Sequence, residues 1–298
     1  MKIGYVGLGN MGRPIAANLA RAGNEMIVFD LNREAVDSFV DEFGARAANG
    51  LHSLAQSSDV VITIVPTGKD VNRILLGDVN CEDALISGLD SSKLFIDMSS
   101  SEPEGTLELG KIMKDKNIPF LDAPVSGGVK RAVSGTISIM VGGESAAIAR
   151  AKPIFEAVSS DIFECGPLGA GHATKAMNNM LSALSVLATT EALLIGRRFG
   201  LDPSTLTNVI NKSSGRNNAT ELKMHQFVLK KNWESGFTSG LMLKDLTIAQ
   251  NLARNVGLSA PCTALVRDAF AETVDHYGPS SDHTMVAKLL QETRKTKL

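Results

Sequence analysis

The feature that most restricts the fold is a glycine pattern near the N-terminus, Gly7-Leu8-Gly9-Asn10-Met11-Gly12. It lies between a β-branched run starting at Lys2 and a helical segment, Met11 to Ala22. In that setting each glycine has a physical reason. Gly7 permits a tight turn, Gly9 lets backbone approach a pyrophosphate, and Gly12 lets the helix pack closely, while the first N–H groups of the helix face the phosphates. An acid follows at the end of the second strand-like run: Asp30, eighteen residues beyond Gly12, is placed to accept hydrogen bonds from the adenosine ribose. A carboxylate there repels the 2′-phosphate of NADP, so NAD is the expected cofactor. Arg33 nearby offers a phosphate some compensation, and a plain turn cap with Asn32 is the bland alternative for Asp30.

Short β-branched runs alternate with helical segments through the first half: Ile3 to Val6, Met26 to Phe29, Val60 to Val65, Leu94 to Ile96, Phe120 to Leu121, Ile137 to Val141 and Ile162 to Glu164. Such alternation predicts βαβ units and a parallel sheet. After Gly171 the pattern becomes helical: Ala173 to Arg198, Ser204 to Asn211, Leu241 to Val256, Cys262 to Tyr277 and Thr284 to Thr293. The break falls in Gly166-Pro167-Leu168-Gly169-Ala170-Gly171. The expected organisation is therefore an α/β Rossmann-type domain over 1–166, followed by an all-α substrate and oligomerisation domain over 167–298.

Charge and composition exclude several classes. Thirty basic and 32 acidic residues give a formal net charge of -2, which points to neither nucleic acid nor an anionic membrane surface. The apolar stretch Ala176 to Gly196 carries Asn178, Asn179, Ser182, Ser185, Thr189, Thr190 and Glu191, too polar for a membrane span, and reads as a buried helix. Cys81, Cys165 and Cys262 are far apart and read as packing residues of a reducing compartment. Strand-like residues begin at Lys2, so a cytoplasmic protein is expected. The five histidines form no ligand-spaced pair with acids, so no metal site is expected. His172 reads as a hydrogen-bonding surface residue beside a helix start.

Four ordered motifs carry a resemblance over nearly the whole chain: Gly4 to Gly12, Asp122-Ala123-Pro124-Val125-Ser126-Gly127-Gly128, Gly169-Ala170-Gly171 with Lys175 and Asn178-Asn179, and Lys244-Asp245-Leu246. With these the chain resembles the β-hydroxyacid dehydrogenases, and among them the 3-hydroxyisobutyrate dehydrogenases. The resemblance implies a Rossmann domain joined through a long helix to an all-α domain, and a homodimer or homotetramer. It implies further cofactor contacts at Val65, Pro66, Ser100 and Lys244. Ser126, Gly127 and Gly128, which alone read as an ordinary glycine turn, become contacts for a substrate carboxylate.

Lys175 and Asn179 are spaced i and i+4, so an ammonium and an amide share one helix face. Asn178, about 100° around, faces elsewhere. Oxidation of an alcohol needs a base for the hydroxyl proton, and no histidine competes for that role. Lys175 is the expected general acid/base, with Asn179 fixing the lysine or the substrate hydroxyl. A neutral lysine is required, favoured by burial and by the positive charge of an oxidised nicotinamide. The expected activity is NAD-dependent oxidation of a small 3-hydroxycarboxylate, 3-hydroxyisobutyrate-like, to a semialdehyde or keto acid.

Residues Ser213-Ser214-Gly215-Arg216 follow the family pattern, but Asn217, Asn218, Ala219 and Thr220 stand where the 3-hydroxyisobutyrate enzymes carry an aromatic. A wider or more polar pocket is expected, leaving isobutyrate-like, serine-like and threonate-like substrates open. One alternative keeps the fold as an NADPH-dependent reductase of a small semialdehyde acid such as tartronate, glyoxylate or succinic semialdehyde; Asp30 opposes it. Another is a non-catalytic dinucleotide-binding module, and a third is imine reduction; Lys175 opposes both.

Overall fold

A computed structural model describes residues 1–78 and 83–298, so the packing role expected of Cys81 lies outside the described residues. The chain divides into two compact units, Met1–Lys175 and Ala176–Leu298.

Six strands of the first unit run parallel: β1 (Lys2–Val6), β2 (Glu25–Phe29), β3 (Arg46–Ala47), β4 (Val60–Thr63), β5 (Leu94–Asp97) and β6 (Phe120–Asp122). Their order is β3-β2-β1-β4-β5-β6. Helices α1 (Gly12–Arg21), α2 (Arg33–Phe43), α3 (Leu51–Gln56), α4 (Gly68–Leu76) and α5 (Pro103–Asp115) connect them. Strands β4 and β5 are buried at every position, as a parallel sheet covered on both faces requires. Successive residues alternate between two cores: Val60, Ile62, Leu94 and Ile96 join one with Ile15 and Phe39, whereas Val61 and Phe95 join the other with Leu54 and Leu75. Strand order reverses direction between β1 and β4, where open α/β sheets form a crevice at their carboxyl ends.

The parallel sheet that the sequence implied does not continue past β6. After β6 the chain forms β7 (Val125–Ser126), α6 (Gly128–Val133) and β8 (Ile137–Gly142), and β8 runs antiparallel to both β6 and β7. The connection from β6 to β8 lacks a helix long enough to carry the chain back across the sheet, so the next strand returns in the opposite sense. A full crossover helix, α7 (Ser145–Glu156), then makes β9 (Ser159–Gly166) parallel to β8. Ser126 accordingly sits on a short strand, paired with Ser138, instead of in a loop beyond one.

The second unit is helical. Helix α8 (Ala170–Phe199) begins in the first unit and continues into the second. It is followed by α9 (Pro203–Asn211), a π-helical segment Ala219–Val228, α10 (Ser239–Asn255), α11 (Pro261–Tyr277) and α12 (Met285–Thr293). Local chemistry sets several starts: Asp202 and Thr238 cap α9 and α10, and Pro203 and Pro261 occupy first-turn positions. Ala183, Val186, Leu193, Met224, Phe270 and Val286 form the core. By length and composition α8 could cross a membrane, but half of its most apolar window is buried within the protein. Cys262 is exposed and does not pack as expected.

Candidate active site

The glycine turn after β1 has the geometry its residues demand. Gly7 adopts φ of +103°, and a Cβ there would lie 2.2 Å from the carbonyl oxygen of Ile64. A Cβ on Gly12 would lie 2.0 Å from the carbonyl oxygen of Gly7, so the start of α1 meets the turn closely only because no side chain intervenes. Gly9 is different: it is exposed, and no atom lies within 4 Å of the position its Cβ would take. That open space, beside a helix start with no side-chain cap and no acid in its first turn, fits an anionic pyrophosphate. Leu8 is buried and packs in the core, while Asn10 is exposed and Met11 half-buried at the start of α1.

Asp30 closes β2 and does two things at once. Its carboxylate accepts from the backbone N–H of Leu8 at 2.6 Å, tying it to the glycine turn, and from that of Asn32 at 2.7 Å. The turn-cap role is thus present, and the half-buried carboxylate keeps further lone pairs for ribose hydroxyls. Val65 and Pro66 follow β4, and Ser100 follows β5, so these residues and the glycine turn border the carboxyl ends of three adjacent strands. The N–H of Val65 donates to Ser99 Oγ at 3.0 Å.

Lys175 is positioned from the sheet. Buried Asp122, at the end of β6, accepts from the N–H of Gly169 and from that of His172, both at 2.7 Å. Its carboxylate therefore fixes the first turn of α8 and favours the positive end of the helix dipole. His172 is 1% exposed, which corrects the surface role expected of it. Helix α8 starts three residues earlier than the apolar pattern indicated, and the histidine turns inward: Nδ1 shares a 2.8 Å hydrogen bond with Thr106 Oγ1, and Nε2 lies 3.6 Å from Asp97 Oδ2. Lys175, half-buried, follows three residues later.

Asn179 lies one turn beyond Lys175 and is buried. Its Nδ2 donates to Asp245 Oδ2 at 2.5 Å, and its Oδ1 accepts from Asn178 Nδ2 at 3.0 Å. A carboxylate only accepts, so this pairing sets which way the amide points. Lys244 Nζ lies 3.2 Å from Asp245 Oδ1. Ser126 is half-buried, and Gly127 and Gly128 are exposed at φ of +131° and +69°, a backbone that side chains would strain.

Residues 2–166 match the family model for the NAD-binding domain of 6-phosphogluconate dehydrogenase, and residues 169–290 match that for the NAD-binding domain of NADP-dependent 3-hydroxyisobutyrate dehydrogenase. The 3-hydroxyisobutyrate dehydrogenase of Pseudomonas aeruginosa is 40% identical over 275 residues, covering 90% of this chain and 91% of that protein. The chain belongs to the β-hydroxyacid dehydrogenase family. As a member it is an oxidoreductase that acts on a CH–OH group with a nicotinamide dinucleotide. The 2-(hydroxymethyl)glutarate dehydrogenase of Eubacterium barkeri is 36% identical over 270 residues, covering 91% of this chain and 88% of that protein. A structure of Mycobacterium tuberculosis 3-hydroxyisobutyrate dehydrogenase with L-serine superposes with a TM-score of 0.87 at 31% identity, covering 97% of this chain and 99% of that one.

Within this β-hydroxyacid dehydrogenase two residues that position the candidate site escaped the sequence. Asp122 and Asp245, present in the quoted motifs without a role, anchor the lysine-bearing turn and Asn179. The departure at Asn217 to Thr220 carries a local cap. Asn217 Oδ1 accepts from the N–H groups of Ala219 at 2.9 Å and Thr220 at 3.1 Å, and Thr220 is fully buried. These polar groups cap the π-helical segment, and it is Lys223, further along that segment, that donates to Ser182 Oγ at 3.0 Å.

Burial lowers the Lys223 pKa to about 8, opposed by the field of Asp282. Burial also pushes His283 down to about 4, helped by the charge of Lys223 and opposed by Asp282 and the Phe237 carbonyl. His283 is therefore neutral in the folded protein between pH 6.5 and 4, while the unfolded chain takes up a proton there. Stability present above pH 6.5 is lost as pH falls through that window, by about 3 kcal/mol at most. Chemical denaturation of the wild type and His283→Gln at pH 7.5, 5.5 and 4.5 should show the shallower fall in the variant; parallel curves contradict the assignment.

Proposed function

We propose that this enzyme oxidises a small 3-hydroxycarboxylate with NAD, using Lys175 as the general acid/base. What carries the proposal is the way α8 is built: Asp122 fixes its first turn, Lys175 follows within that turn's reach, and Asp245 orients Asn179 on the same face. When bound, the nicotinamide accepts the hydride. The protein's own work is to hold the carboxylate with Ser126, Gly127 and Gly128, to place the hydroxyl at Lys175, and to take its proton there. In the reverse direction charged Lys175 returns that proton to the carbonyl oxygen. Asn179, with its carbonyl committed to Asn178 and one amide hydrogen to Asp245, has a second amide hydrogen for the substrate hydroxyl. Lys244, paired with Asp245, is assigned to the cofactor on the family pattern.

NAD over NADP rests on Asp30, whose carboxylate would meet a 2′-phosphate. Self-association as a dimer or tetramer is supported by apolar side chains left outside on α8, with Leu181 60%, Ile195 66% and Phe199 84% exposed. One experiment tests the reaction and cofactor together: a screen of 3-hydroxyisobutyrate, serine, threonate and 2-(hydroxymethyl)glutarate with either cofactor, for the wild type and Asp30→Ser. NAD-linked turnover of at least one 3-hydroxy acid is expected, absent with the corresponding esters. Asp30→Ser should raise the NADP/NAD ratio of kcat/KM by about tenfold or more, and an unchanged ratio would remove Asp30 from that role.

A further inference from the structure

Asp97 closes β5 and is 1% exposed, yet both of its oxygens are engaged. Oδ1 accepts from Thr63 Oγ1 at 3.0 Å and from the backbone N–H of Ser99 at 2.9 Å, while Oδ2 accepts from Ser101 Oγ at 2.9 Å. Ser99 Oγ in turn accepts from the N–H of Val65. One carboxylate thus shapes the turn after β5, which carries Ser100, and through Ser99 the turn after β4, which carries Val65 and Pro66. A buried charge persists only where donors surround it, and here they come from two adjacent strand ends.

The same carboxylate faces the start of the helix that carries Lys175, within the unit Met1–Lys175. His172 Nε2 lies 3.6 Å from Asp97 Oδ2, is buried, and has no hydrogen-bond partner among the described residues. At that distance the contact is electrostatic, not a hydrogen bond. A carboxylate only accepts, so the pair calls for a hydrogen on Nε2, with the Thr106 hydroxyl donating to Nδ1 at 2.8 Å. Asp122 holds the backbone of this turn through the N–H of His172. The ring, set between Thr106 of α5 and Asp97 of β5, fixes how the turn is rotated about its axis. Lys175 is three residues on and a neighbour on the helix surface, so that rotation decides where its side chain starts.

We propose that Asp97 is a positioning residue for both halves of the reaction: it sets the turns assigned to the dinucleotide, and through His172 it sets Lys175. This rests on the reading above, with Val65, Pro66 and Ser100 on the cofactor and Lys175 as the acid/base. The two oxygens divide the work, Oδ1 serving the turns and Oδ2 facing the imidazole, so substitution can separate them. The amide of Asp97→Asn keeps an oxygen toward Thr63 and Ser99 and puts its NH2 where Oδ2 was. The Ser101 hydroxyl can rotate to accept from that NH2, but the Nε2–H of His172 then meets a donor. Asp97→Ala removes both oxygens and leaves the N–H of Ser99 buried without its acceptor.

The full-length enzyme is assayed at saturating NAD on a screened 3-hydroxy acid, with equilibrium titration of NAD and thermal unfolding alongside. Asp97→Asn should lower kcat about tenfold and leave the NAD dissociation constant within about threefold, whereas Asp97→Ala should also weaken NAD by about tenfold or more. His172→Asn, too short to reach Asp97, should match Asp97→Asn in kcat, and the double variant should fall no further, because both cut one link. His172→Gln, whose NH2 reaches further, should restore most of the turnover. Normal kcat in His172→Asn, unchanged NAD affinity in Asp97→Ala, or a double variant at the product of the single losses overturns the role. So does a lowered melting temperature with wild-type kcat and NAD affinity, the mark of a carboxylate that only stabilises the fold. Should Asp97→Ala not fold, Ser99→Ala, which removes the acceptor of the Val65 N–H, must weaken NAD several-fold or the role falls. A wild type that oxidises no hydroxy acid overturns the reaction assigned above and the lysine half with it, while NAD titration of the Asp97 and Ser99 variants judges the turns by itself.

Discussion

Lys175→Ala is expected to lower kcat by at least about 10²-fold while leaving the affinity for NAD nearly unchanged. The size follows from what an alcohol oxidation lacks without a base: the hydride leaves only as the hydroxyl proton leaves, and water at that site replaces a positioned amine poorly. The selectivity of the effect follows from where the lysine sits. Lys175 stands on α8, while the glycine turn, Asp30, Val65, Pro66 and Ser100 follow other elements of the sheet. Truncating it therefore takes nothing from the residues proposed to hold the cofactor. Lys175→Arg should be nearly as inactive, because a guanidinium stays charged and accepts no proton at neutral pH. Steady-state kinetics on a screened substrate, with equilibrium titration of NAD, separates the two terms. A folded Lys175→Ala enzyme within a few-fold of normal turnover would take the lysine out of the chemistry.

What could be seen in the sequence was what local chemistry determines. Gly7, Gly9 and Gly12 are legible because each answers a constraint within a few residues: a positive φ, an open approach and a 2.0 Å clash avoided. The i, i+4 relation of Lys175 and Asn179 is legible for the same reason, being a property of any α-helix. What stayed hidden depends on partners far along the chain. Asp122 is 47 residues from Gly169 and 50 from His172, and Asp245 is 66 from Asn179. A buried carboxylate looks like any other in a sequence until the donors it satisfies are known, so His172 was misread as a surface residue. The antiparallel turn into β8 was hidden because strand direction depends on where a short connection docks, which periodicity does not report. The π-helical segment was missed because its residues carry no 3.6-residue apolar period to find.

Asp122→Ala is expected to cost about 3 kcal/mol or more of stability and to lower activity beyond what that loss explains. The carboxylate is fully buried, and its two oxygens satisfy the N–H groups of Gly169, just ahead of α8, and of His172 in its first turn. Removing it leaves both donors buried without acceptors, each at a cost of about 1–3 kcal/mol, and withdraws the negative charge that offsets the helix dipole. It also leaves His172 with Thr106 and Asp97 as its remaining polar neighbours. Asp122→Asn keeps the shape but replaces one acceptor by a donor facing an N–H, so it should lose most of the same stability. The activity effect is separate from unfolding: a frayed first turn lets Lys175 wander, and a displaced acid/base group loses turnover even in the folded fraction. Thermal or urea unfolding reads the first effect, and kcat measured well below the melting temperature reads the second. A variant with normal stability would mean that water replaces the carboxylate at Gly169 and His172. A destabilised variant with normal kcat would show that α8 holds Lys175 without help from the sheet.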